Sequence, residues 1–115
     1  MSTAPQLHPN QMLAGEITRL NELINYQEGA VVSRTLVKHP AGTVTVFAFD
    51  AGQGLTEHTA AFDALVQILD GKAEIMISDK PYRLEAGEAI LLPANKPHAL
   101  AALTAFKMLL TMIRS

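Results

Sequence analysis

From Val31 onward the chain is a succession of short apolar or alternating runs, each closed by a turn signal. The runs occupy 31–38, 43–49, 65–69, 73–77, 82–84, 89–92, 98–102 and 106–113. Between them stand Pro40-Ala41-Gly42, Asp50-Ala51-Gly52, Asp70-Gly71, Asp79-Lys80-Pro81, Ala86-Gly87 and Pro93-Ala94-Asn95. No interval is long enough to hold the crossover helix that parallel strands require. Many short strands at regular spacing predict an all-β sandwich or barrel. Asp70-Gly71 predicts a hairpin, because glycine accepts the positive φ of a two-residue turn.

Upstream, Ile17, Leu20, Leu23 and Ile24 recur at helical spacing, which predicts a short helix or turn over 16–25, ended by Gly29. Residues 1–15 are polar, carry Pro5 and Pro9, and read as a loose lead-in that a partner subunit would order.

Composition removes several classes of function. The 115 residues suit one domain, and a hydrophobic fraction of 49% is enough for a core. A formal net charge of -2 with no basic stripe argues against nucleic acid as a partner. No cysteine is present, so disulfides and thiolate metal sites are excluded, as suits a cytoplasmic protein. Met1 to Gln11 lacks the basic-then-apolar order of a signal peptide, and no apolar run is long enough to span a bilayer, so no membrane association is expected.

Two segments carry more specific information. The first begins Gly52-Gln53-Gly54-Leu55-Thr56-Glu57-His58-Thr59-Ala60 and runs through Ala64 to Asp70-Gly71. The second is Gly87-Glu88-Ala89-Ile90-Leu91-Leu92-Pro93-Ala94-Asn95-Lys96-Pro97-His98. Together they resemble the paired motifs of the cupin family, G-x5-H-x-H-x3-4-E-x6-G and G-x5-P-x-G-x2-H-x3-N. The glycines, the proline and one histidine of each motif fall in register. Asn95 stands at a motif glycine, and asparagine also tolerates the left-handed conformation. The resemblance covers about Val31 to Ile113. It implies a double-stranded β-helix, or jelly-roll barrel, over 31–115, preceded by a lead-in over 1–30, and a homodimer.

In that family two histidines, an acid and a third histidine grip a metal inside the barrel. Here His58 and His98 match ligand positions, whereas Ala60 stands for the second histidine and Ala64 for the acid. Two imidazoles alone hold a divalent metal weakly. Asp63 is the candidate third ligand, although strand alternation aims it away unless the turn at Ala61-Phe62 rotates it. Glu57 and Gln67 have the wrong parity.

Taken singly, His58 is most simply a loop histidine and His98 an inert residue after Pro97; only their joint match to the motif makes them a pair. His8 and His39 fall in no motif. The alternation of Phe106, Met108, Leu110 and Met112 is read as a core strand. Met76 and Leu109 are apolar at outward positions, which a second copy would cover.

These residues predict a small single-domain cupin that binds a small molecule in its barrel interior. His58 and His98 would face a cavity widened by Ala60 and Ala64, with Phe62, Val66 and Ile68 as apolar walls. The alternative is a metal-dependent enzyme of dioxygenase, isomerase or decarboxylase type, using His58 and His98. A third reading is a structural or regulatory module. No residue names the substrate or the cofactor.

Overall fold

The computed structural model describes residues 14–114. They form nine strands: β1 (Val31–His39), β2 (Gly42–Phe49), β3 (Gly54–His58), β4 (Asp63–Asp70), β5 (Lys72–Ile77), β6 (Lys80–Glu85), β7 (Ala89–Leu92), β8 (His98–Ala102) and β9 (Phe106–Ile113). All pairings are antiparallel. One sheet has the order β1-β2-β9-β4-β7, the other β3-β8-β5-β6. The two sheets face each other as the layers of a jelly roll.

The sheets meet over one core. Phe49, Val66, Ile75, Phe106 and Met108 are fully buried within it. Phe49 and Phe106 stack with centroids 4.4 Å apart, the offset-stacked geometry that aromatic pairs favour.

Asp70-Gly71 is not a hairpin. β4 pairs with β7 and β9 while β5 pairs with β6 and β8, so this corner carries the chain from one sheet to the other. Gly71 does adopt φ +76°, but the constraint is tertiary: a Cβ there would lie 2.0 Å from the Ala105 carbonyl oxygen. The true two-residue hairpins are elsewhere. Ser78 and Asp79, with φ of 48° and 69°, join β5 to β6, and Pro40-Ala41 joins β1 to β2. Asn95 takes the left-handed conformation at φ 66°, as its place in the motif required.

The expected helix over 16–25 shrinks to a single 3-10 turn, Leu20–Glu22. Side chains of the sheet occupy carbonyls that a longer helix would have used. Lys107 donates from Nζ to the Asn21 carbonyl at 2.6 Å, and Arg34 from Nη1 to the Leu23 carbonyl at 3.2 Å. A helix this short is also costly to nucleate. Leu23 and Ile24 instead pack on the outer face of the larger sheet, against Leu36, Val46, Ala48 and Leu109. Leu109, read as an outward residue awaiting a partner, is thus covered by this chain's own lead-in. Met76 is half-buried. His8 and the rest of residues 1–13 lie outside the described residues.

Tyr26 fastens the same lead-in. Its hydroxyl donates to Asp70 Oδ2, and the Lys107 ammonium lies 5.0 Å from its ring centroid. Burial first, then the hydrogen bond to Asp70 and its charge, push the hydroxyl's pKa above the ordinary 10.0. A raised folded-state pKa favours the protonated native form, so this contribution is complete below pH 10.0 and is lost as pH rises above it. Tyr26→Phe is expected to cost about 0.5–1 kcal/mol at neutral pH. Chemical denaturation as a function of pH should show that alkaline loss in the parent and not in the variant.

Candidate functional site

A local irregularity in β3 brings His58 to the same cavity as His98. β3 pairs with β8 in the register Leu55↔Leu100 and His58↔His98, with a bulge between. Leu55 and His58 are three apart, so a regular strand would turn them to opposite faces. The extra residue of the bulge lets both face the interior. β3 ends at His58. Ala60 reaches the cavity from the irregular stretch after that strand, not by strand alternation as expected.

The two imidazoles meet. Their Nε2 atoms are 3.1 Å apart and their ring planes stand at 70°. His98 is buried at 6% exposure, while His58 forms the solvent side of the pair. Each ring is held from behind: Nδ1 of His58 donates to the Thr56 carbonyl at 2.8 Å, and Nδ1 of His98 to the Lys96 carbonyl at 3.3 Å. Carbonyl oxygens only accept, so these bonds place the N–H on Nδ1 of both rings. Neutral rings then turn two Nε2 lone pairs toward each other. Three contacts need three protons and two neutral imidazoles carry two. The arrangement is attractive only with an electrophile, a proton or a cation, between the nitrogens.

Burial first, then the adjacent His58 charge, lower the pKa of His98, opposed by its bond to the Lys96 carbonyl. A histidine depressed on folding contributes stability that is complete above its ordinary 6.5 and is lost as pH falls toward the folded value. Unfolding free energy is therefore expected to decline below pH 6.5 in the parent and to lose part of that slope in His98→Asn. Urea titrations across the acidic range measure it.

Around the pair lies a cavity of about 60 Å³. Leu55 and Leu100 flank the histidines, Ala60 and Ala64 leave space beside them, and Val66, Leu92, Met108, Leu110 and Met112 complete the wall. Among the described residues, the only side-chain heteroatoms in this lining besides the imidazole nitrogens are the sulfurs of Met108 and Met112.

The remaining expected site residues lie elsewhere. Phe62 does not line the cavity; its ring sits 5.1 Å from the Arg114 guanidinium carbon. Ile68 belongs to the core below. Asp63 is not turned inward as a third ligand. The turn at Ala61-Phe62 leaves strand parity intact, and Asp63 Oδ1 accepts the Ala94 N–H at 2.9 Å. That bond, with Asn95 N–H donating to the Ala60 carbonyl at 2.7 Å, ties the loop before His98 to the segment after His58. Among the described residues no group of three or more His, Cys, Asp or Glu side chains could hold a metal ion. The donor set does not fit the divalent cation that the motif resemblance implies. Leu55, Leu92 and Leu100 carry no sequence signal for the cavity, and Met108, Leu110 and Met112, expected as a core strand, line it as well; the alternation of β3 would signal Leu55 were its bulge legible.

The family model described as Cupin domain matches residues 45–113, which include every lining residue of this cavity. The chain belongs to the cupin family. A conserved protein of unknown function from Streptococcus pyogenes is 37% identical, with 98% of each chain covered and a TM-score of 0.89. A cupin 2 conserved barrel domain protein from Leptotrichia buccalis is 42% identical over 82% of this chain and 46% of its own, with a TM-score of 0.79. A cupin superfamily protein from Desulfitobacterium hafniense is 28% identical, covering 92% and 96%, with a TM-score of 0.83. No curated protein matches the chain. This cupin has no helix among its described residues long and apolar enough to cross a membrane.

Proposed function

We propose that this cupin binds a small molecule inside its barrel, with the ligand's single polar group at the His58–His98 pair and its body against the aliphatic wall. The observation that carries this is the convergence of two Nε2 atoms, 3.1 Å apart, in a cavity with otherwise apolar side chains. A few polar groups set in an apolar concavity are the usual profile of a ligand site. The volume limits the ligand. At about 60 Å³ the cavity is well below the ~150 Å³ that takes up benzene in an engineered core, so a ligand of few heavy atoms is favoured.

The test is a fragment titration of metal-free protein followed by imidazole nitrogen chemical shifts. Binders should perturb His58 and His98 and lose about tenfold in affinity in His58→Ala, the equivalent of one hydrogen bond. Ala64→Phe should block them by filling the cavity. Binders indifferent to both substitutions would place the site elsewhere. A solved structure with an enzyme name, salicylate 1,2-dioxygenase from Pseudoaminobacter salicylatoxidans at 17% identity, shares the fold and lends no activity.

Self-association belongs to the same reading, as does a cytoplasmic location. Leu65 on β4 stands opposite Leu91 on β7, and both are solvent-exposed. Val37 and Ile113, further along the same sheet, are exposed as well. A second copy covering this face would remove apolar surface from water. Sedimentation at micromolar concentration should show a homodimer that Leu91→Lys weakens; a monomeric parent would count against it.

A further inference from the structure

We infer that the concavity between the β1–β2 hairpin and the end of β9 binds a phosphate group, through the Arg114 guanidinium, the Lys38 ammonium, the His39 Nε2–H and the Thr43 hydroxyl. It shares no lining residue with the histidine cup. The inference therefore goes beyond the small-molecule reading and does not rest on it.

The backbone brings the four side chains together. Lys38 stands opposite Thr43 on the β1–β2 ladder, and Thr43 stands opposite Met112 on the β2–β9 ladder. Residues opposite one another share a face, so Lys38 and Thr43 extend the row of the sheet to which Met112 belongs. The Arg114 N–H donates to the Ala41 carbonyl at 2.8 Å, which fixes the residue after β9 against the hairpin turn. With His39 and Pro40 these residues line a concavity of about 370 Å³, within the ~300–1,000 Å³ of ligand clefts.

The donors are set for an anion. The Ala41 N–H donates to Nδ1 of His39 at 3.2 Å, so the ring's own N–H is on Nε2. The Arg114 guanidinium carbon lies 5.1 Å from the Phe62 ring centroid. A guanidinium held on an aromatic face is a pre-organised fork of N–H donors that matches phosphate oxygens. Phe62, absent from the cup wall, has its place here. Oγ1 of Thr43 is buried with no hydrogen-bond partner among the described residues, a costly state for a hydroxyl. Rotation about its Cα–Cβ bond exchanges hydroxyl and methyl between staggered positions, and an anion oxygen supplies the missing acceptor.

Charge selects the anion. Among the described residues no carboxylate lines the concavity or forms an ion pair with Lys38 or Arg114. In a chain of formal net charge -2 that leaves two cations side by side without local compensation. Two cations match a phosphate monoester, which carries about -1.5 to -2 near pH 7 and three strong acceptor oxygens. A carboxylate brings a single charge and two oxygens.

The test is a titration of the full chain at fixed ionic strength with inorganic phosphate, phenyl phosphate and benzoate, followed by proton–nitrogen correlation spectra of backbone amides and arginine side chains. Both phosphates should give saturable shifts at Thr43 and Arg114 and bind more tightly than benzoate. Inorganic phosphate binding more tightly than phenyl phosphate would assign the site to the free ion, and the reverse to an ester. Arg114→Gln, at an exposed position, should weaken phenyl phosphate by about tenfold or more, the effect of losing hydrogen bonds to a charged group. Thr43→Val is nearly isosteric and should cost about threefold, one ordinary hydrogen bond. Lys80→Gln removes a positive charge from the other sheet and should change nothing. Shifts that do not saturate, that survive Arg114→Gln, or that potassium chloride reproduces would overturn the inference. So would benzoate binding as tightly as phenyl phosphate. The fragment titration is read at His58 and His98, so the two proposals fail independently.

Discussion

Ala60→His combined with Ala64→Glu is expected to convert this cup into a divalent metal site. Both alanines line the cavity beside His58 and His98. The substitutions add an imidazole and a carboxylate to two imidazoles whose Nε2 atoms already lie 3.1 Å apart, giving the four protein ligands of a closed zinc site. Without metal the double variant should be less stable than the parent, because it buries a carboxylate with no partner. Zinc(II) should more than restore it: a ligand at a hundred times its dissociation constant stabilises by about 2.7 kcal/mol. Thermal denaturation with and without zinc measures the difference, and the parent run alongside should not respond. A double variant that folds yet shows no zinc-dependent shift would mean that the two alanines do not converge with the histidines.

The second large effect is on stability. Gly71→Ala should destabilise the fold by more than about 3 kcal/mol. A left-handed conformation alone costs an L-residue roughly 1–2 kcal/mol. The new methyl would also sit 2.0 Å from the Ala105 carbonyl oxygen and 2.9 Å from the Phe106 Cα, backbone atoms that cannot step aside. Relief requires the corner between β4 and β5 to move, and with it the fully buried Phe106. Gly87→Ala is the matched comparison. Its φ of +91° is strained too, but nothing lies within 4 Å of the added carbon, so only the conformational cost of roughly 1–2 kcal/mol applies. Urea unfolding of the two variants separates strain from collision. Equal losses would mean that the approach of Ala105 to Gly71 is not maintained in solution.

Most of the architecture was legible because it is written in local terms. The strand runs over 89–92, 98–102 and 106–113 were read with the bounds that the structure shows. Turn residues and alternation are properties of neighbours in the chain. β3 escaped notice because Gly54, Thr56 and Glu57 give it a weak apolar pattern and its bulge breaks the period of two. The helix over 16–25 failed for a different reason. Its spacing was correct, but the Lys107 and Arg34 side chains that claim its carbonyls come from distant strands. Asp70-Gly71 predicts a turn and delivers one, but not a hairpin, because the dipeptide dictates reversal without saying which sheet the next strand joins.

The site divides along the same line. Residue identity alone marked His58, His98, Ala60 and Ala64, through offsets that place them in two motif segments, and it removed thiolates and most acids from contention. It could not show that a bulge turns His58 inward, that Asp63 is committed to the Ala94 amide, or that Met112 faces Ala64 across a ladder. Those facts arise between strands far apart in the chain. Sequence spacing constrains direction along one strand, whereas the distance between two imidazoles forty residues apart is set only when the sheets close on their shared core.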